Sequence, residues 1–173
     1  LLTGCPANPL KIYLSRATGF EGTVYVSEST GNDDNRGTAA EPVATIQRGI
    51  ELGQWYVEQG LSDSVAVLVA EGTYEQNAAA GLYVNMVEGV SLFGGFPTTF
   101  AEGEYDPATY VTTIVDTSDS GEVEDSVVAV YAKDGLTEAT RLQGFHIIGG
   151  TCDIGGAQAL RVERASPTID SNI

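Results

Sequence analysis

The sequence predicts an all-β fold, a right-handed parallel β-helix (solenoid) with one N-terminal amphipathic capping helix, on three observations. Short apolar runs bounded by Gly, Asp, Asn or Pro recur along the 173 residues, only one segment has helical periodicity, and 21 glycines accompany 42% hydrophobic residues. No second amphipathic helix separates the later strands, which disfavours a doubly wound βαβ domain. An antiparallel β-sandwich is the alternative fold.

The first element is a short strand at residues 24–27, followed by the polar loop Gly31-Asn32-Asp33-Asp34-Asn35-Arg36-Gly37-Thr38. Gly31 and Gly37 can take positive φ, and the Asn and Asp side chains can bond neighbouring backbone amides. Asp33 and Asp34 also raise a metal question, because carboxylates beside Gly and Asn can form an oxygen-rich pocket. The loop lacks the alternating ligands and distant Glu of an EF-hand, so turn formation is the favoured role.

After Pro42, Thr45 is placed as an N-cap, and Val43, Ile46, Ile50 and Val57 recur near helical spacing. Gln47, Arg48, Glu51, Gln54 and Glu58 occupy the opposite face. Such a helix lies on something hydrophobic, here the open end of the solenoid, with Ile46 and Ile50 as its structural cap. Later strands are placed at residues 65–69, 82–84, 90–93, 113–115, 127–131, 142–148, 159–162 and 168–169, with Glu71 and Tyr74 completing a turn after the first of these. Successive coils would pair in parallel about 4.8 Å apart, stacking Val, Ile, Leu and Phe in one core. The stretch from Pro97 to Tyr110 is polar and acidic, hence a surface loop.

The order of strand, polar turn, helix, strand and Gly72-Thr73-Tyr74 resembles the N-terminal module of bacterial right-handed β-helix proteins of the pectin-lyase-like superfamily. The matching residues are Tyr25, Val26, Ser27, Gly31, Asn35, Gly37, Thr38, Pro42, Thr45, Ile46, Gln47, Gly72, Thr73 and Tyr74. Gly49 stands where that family normally carries Ala, a change that weakens a helix by about 1 kcal/mol. Phe93-Gly94-Gly95-Phe96, Asp106-Pro107 and Thr113-Ile114 again resemble an early coil of extracellular β-helix proteins. The resemblance implies a fold, and folds of this kind host unrelated activities.

Leu1-Leu2-Thr3-Gly4-Cys5 resembles a bacterial lipobox, in which the cysteine is acylated and becomes the mature N-terminus. The expected division is therefore residues 1–22 as lipobox remnant and tether, and residues 23–173 as cap and first coils of a β-helix truncated at its C-terminus. Ser166-Pro167-Thr168-Ile169 and Asn172-Ile173 fit a coil with Asn at the turn and Ile inward. Acylated Cys5 would make a lipid bilayer a partner and place the protein outside the cytoplasm, at the outer membrane or cell surface.

A net charge of −16 with only eight Lys and Arg makes nucleic acid a poor partner, because phosphate contacts need clustered cations. With Cys5 acylated, Cys152 has no partner and no disulfide framework is supported. A catalytic Cys152 would want a base, and His146 is the single histidine, itself expected to point outward between Phe145 and Ile147.

The resemblance implies chemistry worth testing against these residues. Polyuronate-cleaving enzymes of this fold use Ca²⁺ held by carboxylates, with Arg or Lys as base. The candidates here are Arg161 and Arg164, near Asp153, Glu163 and Asp170, with Arg161 and Glu163 outward if Leu160 and Val162 face in. Outward charges are also expected of any solvated sheet. The paired Asp residues and Gly-His-Gly turn of the related hydrolases are absent from the sequence. No cofactor is expected, with Ca²⁺ the one ion left open. The expected function is a lipid-anchored extracytoplasmic β-helix surface protein, structural or contacting extracellular polysaccharide, with this segment non-catalytic. The alternative is the N-terminal part of a polysaccharide lyase or related carbohydrate-active enzyme.

Overall fold

The computed structural model describes residues 22–120, 128–152 and 158–173. Its architecture is a parallel β-helix. Strand β1 (Thr23–Val26) is followed by the polar loop and helix α1 (Ile46–Glu58). The first full coil carries β2 (Val65–Ala70), β3 (Gly72–Gln76) and β4 (Val84–Asn85). The second carries β5 (Val90–Phe96), β6 (Thr112–Asp116), β7 (Asp119–Ser120) and β8 (Val128–Lys133). The third carries β9 (Arg141–Gln143), β10 (Phe145–Ile148), β11 (Thr151–Cys152) and β12 (Gln158–Glu163), and β13 (Thr168–Asp170) opens the next.

Corresponding strands stack into three main sheets, β1-β2-β5-β9-β13, β3-β6-β10 and β4-β8-β12, with β7 and β11 forming a small extra pair. Every strand pairing among the described residues is parallel, which excludes the sandwich. Register follows the inward residues: Val24 aligns with Val67, Val67 with Leu92, Leu92 with Leu142, and Leu142 with Ile169. Tyr74 aligns with Ile114 and Ile114 with Ile147 in the second sheet, and Val84 with Val130 and Val130 with Leu160 in the third. Alternation puts these side chains on the inner face, with Ile169 still 38% exposed, and burial of apolar area stabilises the stack by about 25 cal/mol per Å².

Tyr74 therefore differs from its expected place in a turn. It sits mid-strand in β3, 3% exposed, and its hydroxyl donates to Ala70 O at 3.1 Å. The apolar run 142–148 is two strands rather than one, because Gly144 takes φ +80° and turns the corner between the first and second sheets. One coil later Ser171 takes φ +52° at the equivalent corner, and Asn172 ties the two corners together: Phe145 N donates to its Oδ1 at 2.9 Å, and its Nδ2 donates to Leu142 O at 2.8 Å. The loop after β5 is exposed as expected, and Phe100 rests edge-on against Tyr25.

The polar loop is built as the sequence suggests. Gly37 has φ +74°, but Gly31 does not adopt positive φ. Gly31 is needed because a Cβ there would collide with the carbonyl oxygens of Val43 and Ser27. Asp33 Oδ1 accepts from Ala44 N and Thr45 N, both at 2.9 Å, and Oδ2 accepts from the Thr45 hydroxyl at 2.9 Å. Thr45 in turn accepts from Arg48 N as the N-cap. Val43 lies outside the helix and bridges Val26 in parallel.

Helix α1 covers the end of the core, packing on β1, β2 and β4, with Ile46 and Ile50 fully buried. Gly49 is explained by this contact. A Cβ at that position would stand 2.6 Å from Val26 Cγ2 and 3.0 Å from Val67 Cγ1, so glycine lets the helix lie flush on the first sheet.

Candidate functional site

The outer side of the third sheet carries the most densely connected charged and aromatic cluster among the described residues. It exists because β4, β8 and β12 stack in register, aligning Asn85 with Tyr131 and Tyr131 with Arg161, all opposite to the inward Val84, Val130 and Leu160. Tyr131 is its centre. The Tyr131 hydroxyl donates to Glu163 Oε2 at 2.6 Å, and Arg161 pairs with the same oxygen at 3.1 Å. The Arg161 guanidinium lies 5.6 Å, and Lys133 Nζ 5.5 Å, from the Tyr131 ring centroid, within cation–π range. Tyr83 meets that ring edge-to-face at 6.1 Å.

Arg164 closes the corner after β12. Its Nε donates to Asp134 Oδ1 at 2.7 Å, and its NH2 lies 3.8 Å from Glu163 Oε1. These contacts set the protonation preferences. The Tyr131 hydroxyl first, then Arg161 and Arg164, hold the Glu163 carboxyl below its ordinary value. Glu163 in turn pushes the Tyr131 hydroxyl up, and Asp134 raises Arg164 further. Three of the chain's eight cations, Lys133, Arg161 and Arg164, thus gather in one region of a strongly acidic protein.

Toward the cap the face runs into a cleft of about 380 Å³ lined by Thr45, Gln47, Glu75, Gln76, Gly81, Leu82, Tyr83 and Asn85. Gln47 Oε1 accepts from Asn85 N at 3.0 Å, while Asn85 Oδ1 is buried without a hydrogen-bond partner. Aromatic rings, an amide and guanidinium or ammonium groups on a continuous outer surface can stack on the apolar faces of a sugar ring and bond its hydroxyls or acid groups.

The sequence candidates divide as follows. Arg161 and Arg164 come together with Glu163, whereas Asp170 lies on β13 in the first sheet and Asp153 lies outside the described residues. Asp33 ties the loop to the helix N-terminus, and Asp34 N donates to Asn32 Oδ1 at 2.9 Å in an Asx turn. Among the described residues no group of three or more His, Cys, Asp or Glu is placed to hold a metal ion. His146 is half-buried and borders a different cleft with Tyr105, Asp106 and Gln143. Cys152 is in β11, and Cys5 lies outside the described residues. Tyr83 and Tyr131 were not foreseen as site residues. Alternation in Val128-Ala129-Val130-Tyr131 marks Tyr131 as outward, but its neighbours come from other coils at separations set by the intervening loops.

The fold and its outer face define a parallel β-helix protein with an aromatic, cation-bearing surface. Residues 29–173 match the family model described as "Protein of unknown function (DUF1565)", and the chain belongs to that family. No curated protein and no solved structure matches the chain.

Proposed function

We propose that this chain is an extracytoplasmic β-helix surface protein of the bacterial pectin-lyase-like kind, anchored to a lipid bilayer through acylated Cys5, that contacts polysaccharide on the outer face of its third sheet. The observation that carries the reading is Tyr131, flanked by Arg161 and Lys133 and continued by Tyr83 toward the cleft. The arrangement suits binding better than β-elimination. A lyase base must lose its proton, and the Asp134 carboxylate beside Arg164 raises its pKa and holds it in the protonated form.

Titration of the protein and of Tyr131→Ala with a panel of neutral and acidic polysaccharides tests the reading. Saturable binding that weakens roughly tenfold in the variant is expected from loss of one stacking and cation–π platform. Absence of binding, or binding indifferent to Tyr131→Ala, would reject it. An ultraviolet rise on polyuronates that depends on Ca²⁺ would transfer the weight to the lyase alternative. Retention on membranes by Cys5→Ser would separately reject the anchor.

A further inference from the structure

Tyr83 belongs both to the outer face of the third sheet and to the cleft of about 380 Å³ beside the cap. Its ring centroid is 6.1 Å from that of Tyr131, which puts the two regions within reach of neighbouring rings of one glycan. They differ in charge. The face around Tyr131 carries Lys133 and Arg161, whereas among the described residues that line the cleft Glu75 is the one charged side chain. Charge alone therefore sorts a ligand, drawing acid groups to the face and a neutral ring to the cleft.

The polar groups of the cleft are left half used. Gln47 Oε1 accepts from Asn85 N at 3.0 Å, which leaves Gln47 Nε2 as a donor without a partner among the described residues. Asn85 Oδ1 is the reverse, an acceptor buried without a donor. Such an acceptor has lost its water and gained nothing in exchange, so it favours a ligand that brings an N–H or O–H. Beside them Leu82 is 63% exposed and forms an apolar wall next to Tyr83. That wall is held in place, because Asn77 N donates to Leu82 O at 2.9 Å and Leu82 N donates to Asn77 O at 3.0 Å.

We propose that the cleft takes a 2-acetamido sugar, within a polysaccharide that alternates such a sugar with a uronic acid seated on Tyr131, Lys133 and Arg161. The acetamido group answers each of the three features: its N–H donates to Asn85 Oδ1, its carbonyl accepts from Gln47 Nε2, and its methyl packs on Leu82. The Asn85 amide turns on a soft terminal torsion, which lets Oδ1 meet the incoming donor. Glu75 repels a carboxylate in the same place and so fixes the register of the chain. The inference rests on the glycan-contacting reading and adds to it the kind of glycan.

Isothermal titration calorimetry with two oligosaccharides of equal length tests the proposal, one alternating a uronic acid with a 2-acetamido sugar and one of uronic acid alone. The wild type should bind the alternating chain at least roughly tenfold more tightly. Asn85→Ala and Leu82→Ser should each remove most of that preference and leave affinity for the uronic acid chain unchanged, whereas Tyr131→Ala should weaken both. Asn85→Ala deletes an acceptor that bonds nothing, so its melting temperature should not fall, and Leu82→Ser reads the same contact from an exposed position. Equal affinity of the wild type for the two chains, or a preference that survives both substitutions, would overturn the inference. If Tyr131→Ala still weakened binding in that case, the glycan-contacting reading would stand without it. Binding of neither chain would also overturn the inference, and the reading itself falls only with absence of binding across the polysaccharide panel.

Discussion

Helix propensity and packing predict opposite signs for Gly49→Ala. In an isolated helix the substitution stabilises by about 1 kcal/mol. Here the added methyl would lie 2.6 Å from Val26 Cγ2 and 3.0 Å from Val67 Cγ1, and both valines are fully buried with stiff, β-branched side chains. Overpacking of that kind costs about 1–3 kcal/mol, so the net change is a destabilisation of about 1 kcal/mol. Val26→Ala removes the nearest methyl. In that background Gly49→Ala should turn neutral or stabilising, giving a coupling of about 1–2 kcal/mol in a double-mutant cycle. Urea unfolding of the four proteins, followed by far-ultraviolet circular dichroism, supplies the cycle. A stabilising Gly49→Ala in the wild-type background, or strictly additive effects, would show that α1 does not lie flush on β1 and β2.

Other perturbations address the cap and the coil-to-coil clamps. Ile46→Asp places an unpaired charge at a fully buried position between helix and core, and should cost more than about 3 kcal/mol; an unchanged melting temperature would remove α1 from the role of cap. Glu88 accepts from Thr137 N, from the Thr137 hydroxyl and from the Thr140 hydroxyl, contacts that hold its carboxyl below the ordinary value. A depressed carboxylate contributes stability that is fully present above the unfolded pKa of about 4.3 and is lost as pH falls through the lower folded value. Glu88→Gln should therefore reduce stability at pH 7 by up to about 1 kcal/mol, since the site is exposed. The gap should narrow in acid, and a difference independent of pH between 7 and 3 would contradict the clamp.

Much of the fold was legible because local and global signals agree. The loop from Gly31 to Thr38 is bonded as a turn, Thr45 caps α1, and all nine of the apolar runs named from the sequence overlap observed strands. The failures have physical causes. β3 was missed because Gly72-Thr73-Tyr74 reads as a turn, while the ladder with β6 and the burial of Tyr74 are long-range facts. Val43 has helical spacing from Ile46 and Ile50, yet its bridge to Val26 places it before the cap. Gly49 looked like a weakness because only the packed structure shows how closely Val26 approaches. The site was less legible: Arg161 and Glu163 follow from alternation, but Tyr131, Lys133 and Tyr83 join them through registers that depend on loop lengths.

The unequal coils have a kinetic consequence. Joining Leu92 to Leu142 closes twice the length of chain that joining Val67 to Leu92 does, because the second coil carries the long excursion after β5. Each doubling of a closed loop adds about 0.6 kcal/mol of entropic cost, so the β2–β5 pair has the lower barrier and the β5–β9 pair follows. On loop length alone, β2 therefore pairs with β5 before β5 pairs with β9, and the slow closure is the one that spans the excursion. Pulse-labelled exchange would read that order directly, and amides bonding β5 to β9 that gain protection before those bonding β2 to β5 would reverse it.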